Sequence, residues 1–205
     1  MKTKFDTKAL VLMGMLTALL IVFAFTPIGS IPVGGLSITL SIIPVAIGAI
    51  ALGPVGGAAM GAVFGIMSFL QCIPIGIPSG MGIATFGISP VLTFVQRFVP
   101  RVLDGFLLGF IFRGATKLSN ASIASFVTGF FSALLNTVFF LSALFFLFGD
   151  SEYAQNLRGG KGMLAYIGFV IVRNGILEII ASTVIAGGVG SALIKAGLIK
   201  VPEND

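Results

Sequence analysis

The sequence predicts an all-α integral membrane protein, a bundle of six transmembrane helices. Of its 205 residues, 57% are hydrophobic and only 9% are charged. A soluble domain averages about 25% charged residues, so this composition excludes soluble, disordered and nucleic-acid-binding proteins. At roughly 30 to 35 residues for each span with its loop, the length allows about six spans and no appended soluble domain.

The spans are separated by Pro- and Gly-rich breaks and by polar loops. We expect the first span to be a retained helix, because no small-x-small cleavage site with a polar start follows it. The second and third spans are short for a bilayer of about 30 Å, and Gly53-Pro54 divides them. The predicted single membrane domain, 1–205, contains spans at about 9–26, 36–52, 56–70, 90–112, 122–148 and 163–194.

The basic residues predict the orientation of the bundle. With the N-terminus inside, the outer loops hold only Arg158 and Lys161 as basic residues. The inner ends then hold Lys2, Lys4, Lys8, Arg113, Lys117, Lys195 and Lys200. We therefore expect a multi-pass protein of the cytoplasmic membrane with both termini in the cytoplasm. Two irregular stretches, Pro27–Gly35 and Gln71–Pro90, then lie on the outer face, where an external ligand would enter.

Missing residue types exclude most catalytic and metal-binding functions. There is no histidine, which excludes a histidine general base and a histidine-bound metal. The single cysteine, Cys72, excludes an internal disulfide and a multi-cysteine metal cluster. No G-x-x-x-x-G-K-[ST] motif is present, so this chain is not expected to hydrolyse ATP. We expect no cofactor, no metal and no catalytic residue.

Small residues recur at helical spacing in three places. Gly53, Gly57, Gly61 and Gly65 form a stripe along the third span, and Gly105 with Gly109 forms a patch on the fourth. Such faces let two helix backbones approach closely, so packing inside the bundle is the simplest interpretation. On the first helix, Gly14 and Ala18 form a third patch, for which a partner-facing role is as plausible as packing.

Five ionisable residues lie within the predicted spans: Arg97, Arg101, Asp104, Arg173 and Glu178. Each costs at least about 2.5 to 3.5 kcal/mol in a bilayer, so such residues usually pair or serve function. Arg101 and Asp104 are three residues apart and can pair, whereas Arg173 and Glu178 are poorly spaced for a pair on one helix. Arg97 is left as an anchor for a carboxylate that enters from outside. The alternatives are snorkelling to the outer headgroups and a structural pair with Glu178.

Neutral amides supply further candidates for ligand binding. Asn136 lies in the fifth span and Asn174 in the sixth, while Gln71 and Gln96 flank the outer loop. Amide groups can bind the hydroxyl and amide groups of a ligand. Their alternative role is hydrogen bonding between helices.

Three stretches carry a family resemblance: Pro27-Ile-Gly-Ser-Ile-Pro-Val-Gly-Gly-Leu-Ser-Ile-Thr-Leu, then Ile43-Pro-Val-Ala-Ile-Gly-Ala-Ile-Ala-Leu-Gly-Pro54, then Gly61-Ala-Val-Phe-Gly-Ile-Met-Ser68. The chain resembles the S components of energy-coupling factor (ECF) vitamin transporters, and most of all the pantothenate-specific ones. The resemblance covers the whole chain in architecture, and its local signal is concentrated in residues 9–70.

The resemblance implies a substrate-binding subunit that takes one vitamin from outside. It also implies partners: a transmembrane T component and two cytoplasmic ATPases, whose ATP turnover topples the S component and releases the vitamin inside. The family docks through an Ala-x-x-x-Ala pair on helix 1, which Gly14 and Ala18 match here in small size. An arginine on helix 4 and an asparagine on helix 5 are expected ligands, and Arg97 and Asn136 match them by location.

Four functional readings remain open from the sequence. The first is an S component for pantothenate, because one spare buried cation suits a monoanion. The second is an S component for folate or another water-soluble vitamin. A third is an intramembrane enzyme that uses Asp104 or Glu178 for acid–base chemistry, and the absence of histidine disfavours it. The fourth is a structural subunit with glycine-packed helices and no ligand.

Overall fold

A computed structural model describes residues 7–33, 36–73 and 75–199. The regular secondary structure of these residues is helical apart from one short β-hairpin. A π-helical turn, Ile171–Gly175, joins the last two helices into one long segment. The elements are α1 (Thr7–Phe25), β1 (Ser30–Val33), β2 (Leu36–Thr39), α2 (Ile42–Leu70), α3 (Gly80–Ile88), α4 (Pro90–Leu118), α5 (Ala121–Phe148), α6 (Glu152–Arg158), α7 (Met163–Val170) and α8 (Ile176–Lys195).

Four of these helices are long and apolar enough to cross a membrane: α1, α2, α5 and α8. The helix α4 is as long as α2, but it is less apolar. Its charged residues are Arg97, Arg101, Asp104, Arg113 and Lys117. The chain is therefore a helical protein with several membrane-crossing segments.

The expected second span, 36–52, is wrong at its N-terminal end. Leu36–Thr39 is a strand that pairs antiparallel with β1, in a register that joins Ser30 to Thr39 and Val33 to Leu36. The β-branched residues of these segments favour an extended backbone, and pairing satisfies their backbone groups without a helix. The helix begins only at Ile42.

Gly53 divides α2 into two arms, residues 42–52 and 54–70, that fold back on each other. Its φ of 70° and ψ of −163° lie outside the helical region, in a conformation that glycine adopts readily. A Cβ placed on Gly48 would lie 2.6 Å from Cγ of Met60, although the two residues would be about 18 Å apart along a straight helix. The predicted break at Gly53-Pro54 is confirmed.

The glycine stripe of the second arm packs directly on the backbone of α4. A Cβ placed on Gly57 would lie 2.8 Å from the carbonyl carbon of Gly105, and one on Gly61 would lie 2.8 Å from that of Arg101. A Cβ on Gly65 would lie 2.9 Å from Cα of Phe98. The predicted packing role of the stripe is confirmed, and it brings α2 against the part of α4 that carries the arginines.

The two connections that were expected on the outer face contain more helix than expected. Within the stretch 71–90, Gly80–Ile88 forms α3, and the Ser79 hydroxyl caps it by accepting the N–H of Gly82 at 3.1 Å. The polar loop 149–161 likewise contains α6, capped by Ser151. Serine at the N-cap satisfies a backbone donor that would otherwise be unpaired.

The bundle is organised around α2, α4 and α5. The helix α4 packs against α2 on one side and α5 on the other, α5 packs against α8, and α1 lies against α2. Large apolar side chains such as Met60 and Leu108 fill the core between them. The helix α1 is the least buried of the long helices.

We expect Gly105→Val to destabilise the protein by about 1–3 kcal/mol, because its Cβ would enter the backbone of Gly57. Gly114→Val is the matched control, since it lies on the same helix with nothing within 4 Å of a Cβ. Thermal unfolding in detergent, followed with a thiol-reactive dye that reports exposure of the buried Cys72, measures the difference. An equal loss of stability in both variants would contradict close packing at Gly105.

Candidate functional site

A cavity of about 320 Å³ lies between the hairpin, the C-terminal end of α2, the segment before α3, and helices α4, α5 and α8. Both stretches expected on the outer side reach its neighbourhood, since Thr39 follows the first stretch and residues 77–81 belong to the second. Its polar lining combines two arginines, one glutamate, two amides and several hydroxyl groups. The volume falls at the lower end of the range of about 300–1,000 Å³ that is typical of small-molecule sites.

Arg97 is buried in the wall of this cavity and is only 5% exposed. Its Nη1 donates to the Ser68 hydroxyl at 3.3 Å and its Nη2 to the Ser79 hydroxyl at 3.2 Å. Its guanidinium carbon lies 4.9 Å from the centre of the Phe140 ring. The charge is thus positioned by neutral groups, and its Nε has no hydrogen-bond partner among the described residues.

Arg101 lies one helical turn further along α4 and lines the same cavity. Its guanidinium carbon lies 4.8 Å from the Phe64 ring centre and 4.6 Å from that of Phe140. In the described part of the chain, its Nε and Nη1 have no hydrogen-bond partner. The Phe140 ring therefore contacts two guanidinium groups, which a π face attracts electrostatically.

The pair that the spacing of Arg101 and Asp104 allows does not form among the described residues. Asp104 is fully buried, and neither of its carboxylate oxygens has a hydrogen-bond partner among the described residues. Arg101 stacks instead on the rings of Phe64 and Phe140, and Asp104 is not part of the cavity lining. Three-residue spacing allows a pair on a helix but does not fix the direction in which a long side chain extends.

The predicted amides divide between the cavity and its surroundings. Asn136 and Gln71 line the cavity, and the Gln71 amide donates to the carbonyl of Ala24 at 3.3 Å. Gln96 does not line it: this side chain is fully buried and its Nε2 approaches the carbonyl of Phe140 at 3.5 Å. Asn174 belongs to the π-helical turn, and its side chain lies outside the described part of the structure.

Arg173 is exposed and lies away from the cavity. Its guanidinium carbon is 5.7 Å from the Phe169 ring centre, and it pairs with no carboxylate in the described part of the chain. Glu178, by contrast, is 5% exposed and lines the cavity. Its carboxylate accepts the backbone N–H of Thr39, which ties the hairpin to α8.

Sequence reasoning missed the hydroxyl groups and the two charged residues that join Arg97 in the cavity. Glu178 and Arg101 carried a signal, since both are charges within apolar helices. The hydroxyl residues carried none, because serine and threonine are common throughout these helices. They are Thr39, Ser41, Ser68, Ser79 and Thr137.

Among the described residues, Arg97 and Arg101 form no salt bridge, and amides and hydroxyls surround them in one cavity. Such a site is suited to bind a small carboxylate with polar substituents. A family model for the substrate-specific component of ECF transporters matches residues 8–189. The chain belongs to this family. The family resemblance seen in the sequence is thereby confirmed, and this S component is a transport subunit of the membrane rather than an enzyme.

Two relatives cover most of the S component. The pantothenic acid transporter PanT of Lactococcus lactis subsp. cremoris MG1363 is 31% identical over 166 residues, which are 77% of this chain and 78% of the relative. The pantothenate transporter PanT of Leuconostoc mesenteroides subsp. mesenteroides is 27% identical over 198 residues, which are 92% of this chain and 93% of the relative.

The small-residue patch of α1 in this S component faces outward. Gly14 and Ala18 are exposed, and a Cβ placed on Gly14 would have nothing within 4 Å. The patch therefore makes no close helix contact within the described chain, unlike the stripe of α2. A second helix could approach it closely.

Cys72 lies near Arg97, and the reactivity of its thiol can be measured. Its thiol donates to the carbonyl of Ser68 at 3.4 Å, next to Arg97, and burial raises the pKa of the thiol above its ordinary value.

We expect maleimide to modify Cys72 more slowly than an exposed cysteine at pH 7.5, and the rate to keep rising at higher pH because the thiolate is the nucleophile. The control is Cys72→Ser with Gly162→Cys, an exposed position in the polar loop before α7 with nothing within 4 Å of a Cβ. Mass spectrometry measures both rates, and equal rates would contradict the buried, high-pKa thiol.

Proposed function

We propose that this S component binds pantothenate from outside the cytoplasmic membrane and delivers it inward when a partner module hydrolyses ATP. The observation that carries this proposal is the pair of buried guanidinium groups, Arg97 and Arg101, in a cavity of about 320 Å³. The two relatives named as pantothenate transporters support the same cargo.

The chemistry of pantothenate complements the lining of the cavity. Its carboxylate can pair with a guanidinium group, which binds carboxylates through two parallel hydrogen bonds. Its amide and hydroxyl groups can bond to the amides of Asn136 and Gln71 and to the hydroxyls around them. Folate, the alternative cargo, is larger and carries two carboxylates.

The proposed topology has six membrane-crossing segments and cytoplasmic termini, with the two arms of α2 counted separately. Arg113 and Lys8 lie toward the end of the bundle away from the cavity. The turn at Gly53 lies near Arg113, whose Nη2 would be 2.8 Å from a Cβ on that glycine, and Lys8 lines a groove with Leu193 near the end of α8. An excess of basic residues is typical of the cytoplasmic side, so the cavity end would face outward.

The proposed partners are a transmembrane T component and two cytoplasmic ATPases, contacted through Gly14 and Ala18 on α1. The outward-facing small residues of that helix support this assignment, since they allow another backbone to approach.

Equilibrium binding of labelled pantothenate to the detergent-purified chain tests the cargo, with folate as the comparison. We expect Arg97→Ala and Arg101→Ala each to weaken binding by about 2 kcal/mol, roughly 30-fold, because each removes a buried charge that faces the carboxylate. Arg173→Ala is the matched control, since that arginine is exposed and outside the cavity. Absence of binding below about millimolar would refute the cargo, and tight binding of folate would favour the alternative.

Gly14→Leu and Ala18→Leu are expected to abolish uptake in proteoliposomes that contain the partners, while the isolated chain still binds pantothenate normally. The bulky side chains would block close approach of a second helix. Gly168→Leu, also at an exposed glycine with free space around it, should leave uptake intact. If binding falls together with uptake, α1 supports the fold and does not form the docking surface.

A further inference from the structure

Glu178 is the one acidic side chain that lines the cavity among the described residues. It belongs to the first turn of α8, whereas Arg97 and Arg101 belong to α4. The helix α5 packs against both of these helices and contributes Asn136 and Phe140 to the lining between them. The cavity therefore has a positive wall on α4 and a negative wall on α8.

No arginine neutralises the Glu178 carboxylate in the described part of the chain. Arg97 donates to the hydroxyls of Ser68 and Ser79, and the free nitrogens of Arg101 have no hydrogen-bond partner. Among the described residues, the Glu178 carboxylate accepts hydrogen bonds from two uncharged groups, the backbone N–H of Thr39 and the side-chain hydroxyl of Thr137. Its negative charge is thus available to whatever occupies that end of the cavity.

We infer that Glu178 determines the charge selectivity of the site. It favours an elongated monoanion whose carboxylate lies on the α4 wall and whose other end carries hydrogen-bond donors. An uncharged hydroxyl at that end can donate to the Glu178 carboxylate. A phosphate or second carboxylate there would meet a like charge in a poorly screened site, which is an effective way to reject a competitor.

This inference rests on the proposed function, because it assumes that the carboxylate of the ligand binds at Arg97 and Arg101. It adds that the charge of Glu178 selects for the group at the end of the ligand opposite its carboxylate. In pantothenate that end is a terminal hydroxyl. In 4′-phosphopantothenate the same hydroxyl carries a phosphomonoester, which is a dianion above its second pKa of about 6.

The variant that isolates the charge is Glu178→Gln. The glutamine side chain has nearly the same shape, and its amide oxygen can still accept the N–H of Thr39, so the link between α8 and the hairpin is kept. Asp104→Asn is the matched control, because it removes another buried carboxylate from a residue that does not line the cavity.

The experiment measures the affinity of the full chain in detergent for pantothenate and for 4′-phosphopantothenate at pH 8. We expect the wild type to prefer pantothenate by about 100-fold or more. In Glu178→Gln that preference should shrink by about tenfold or more, chiefly through tighter binding of the phosphorylated ligand. In Asp104→Asn the preference should match that of the wild type.

The outcomes separate this inference from the proposed function. If the wild type binds pantothenate and Glu178→Gln keeps the full preference, or loses both ligands equally, Glu178 is only an anchor of the hairpin and the inference is overturned. If Asp104→Asn changes the preference as much as Glu178→Gln, the effect is not local and the inference is also overturned. If the wild type does not bind pantothenate, the proposed function fails and the inference fails with it.

Discussion

Two guanidinium groups buried side by side in an apolar helical bundle are the constraint to which the rest of the site responds. Each would be costly in hydrocarbon, and their mutual repulsion adds to that cost. The chain stabilises them with neutral partners: hydroxyls of Ser68 and Ser79 for Arg97, and the rings of Phe64 and Phe140 for Arg101. Because these partners are neutral, they do not cancel the positive charge of the two guanidinium groups. A negatively charged ligand can therefore pair with them.

Close backbone packing makes that arrangement possible. Without side chains at Gly57, Gly61 and Gly65, the second arm of α2 lies directly on α4. This contact brings Phe64 and Ser68 within reach of the arginines. The glycine stripe and the charged cavity are thus parts of one structure, since the first positions the groups that stabilise the second.

The sequence predicts features that depend on composition or regular spacing. Four apolar helices, the break at Gly53-Pro54 and the packing stripe follow from such patterns and were confirmed, whereas the N-terminal end of the expected second span was wrong. Three of the candidate ligand residues, Arg97, Asn136 and Gln71, line one cavity. Whether these side chains bind ligand stays a prediction.

Features that depend on side-chain direction or on pairing between distant segments could not be predicted. The spacing allowed Arg101 to pair with Asp104, but the Arg101 guanidinium packs instead on the rings of Phe64 and Phe140. Gln96 is next to Arg97 in sequence, yet it turns away from the cavity by helical geometry. Leu36–Thr39 forms a strand and not a helix because it pairs with Ser30–Val33 just upstream. The hydrophobicity of the segment alone does not reveal such a pairing.

The sparse burial of α1 has a consequence for how the protein meets its surroundings. Its outward side carries large apolar residues, among them Leu10, Met15 and Val22, around the small pair Gly14 and Ala18. Lipid chains are about as apolar as these side chains, so exchanging lipid for a protein neighbour changes little in solvation. Association along α1 would therefore depend on how closely the shape of a partner helix fits this surface and on the release of lipid.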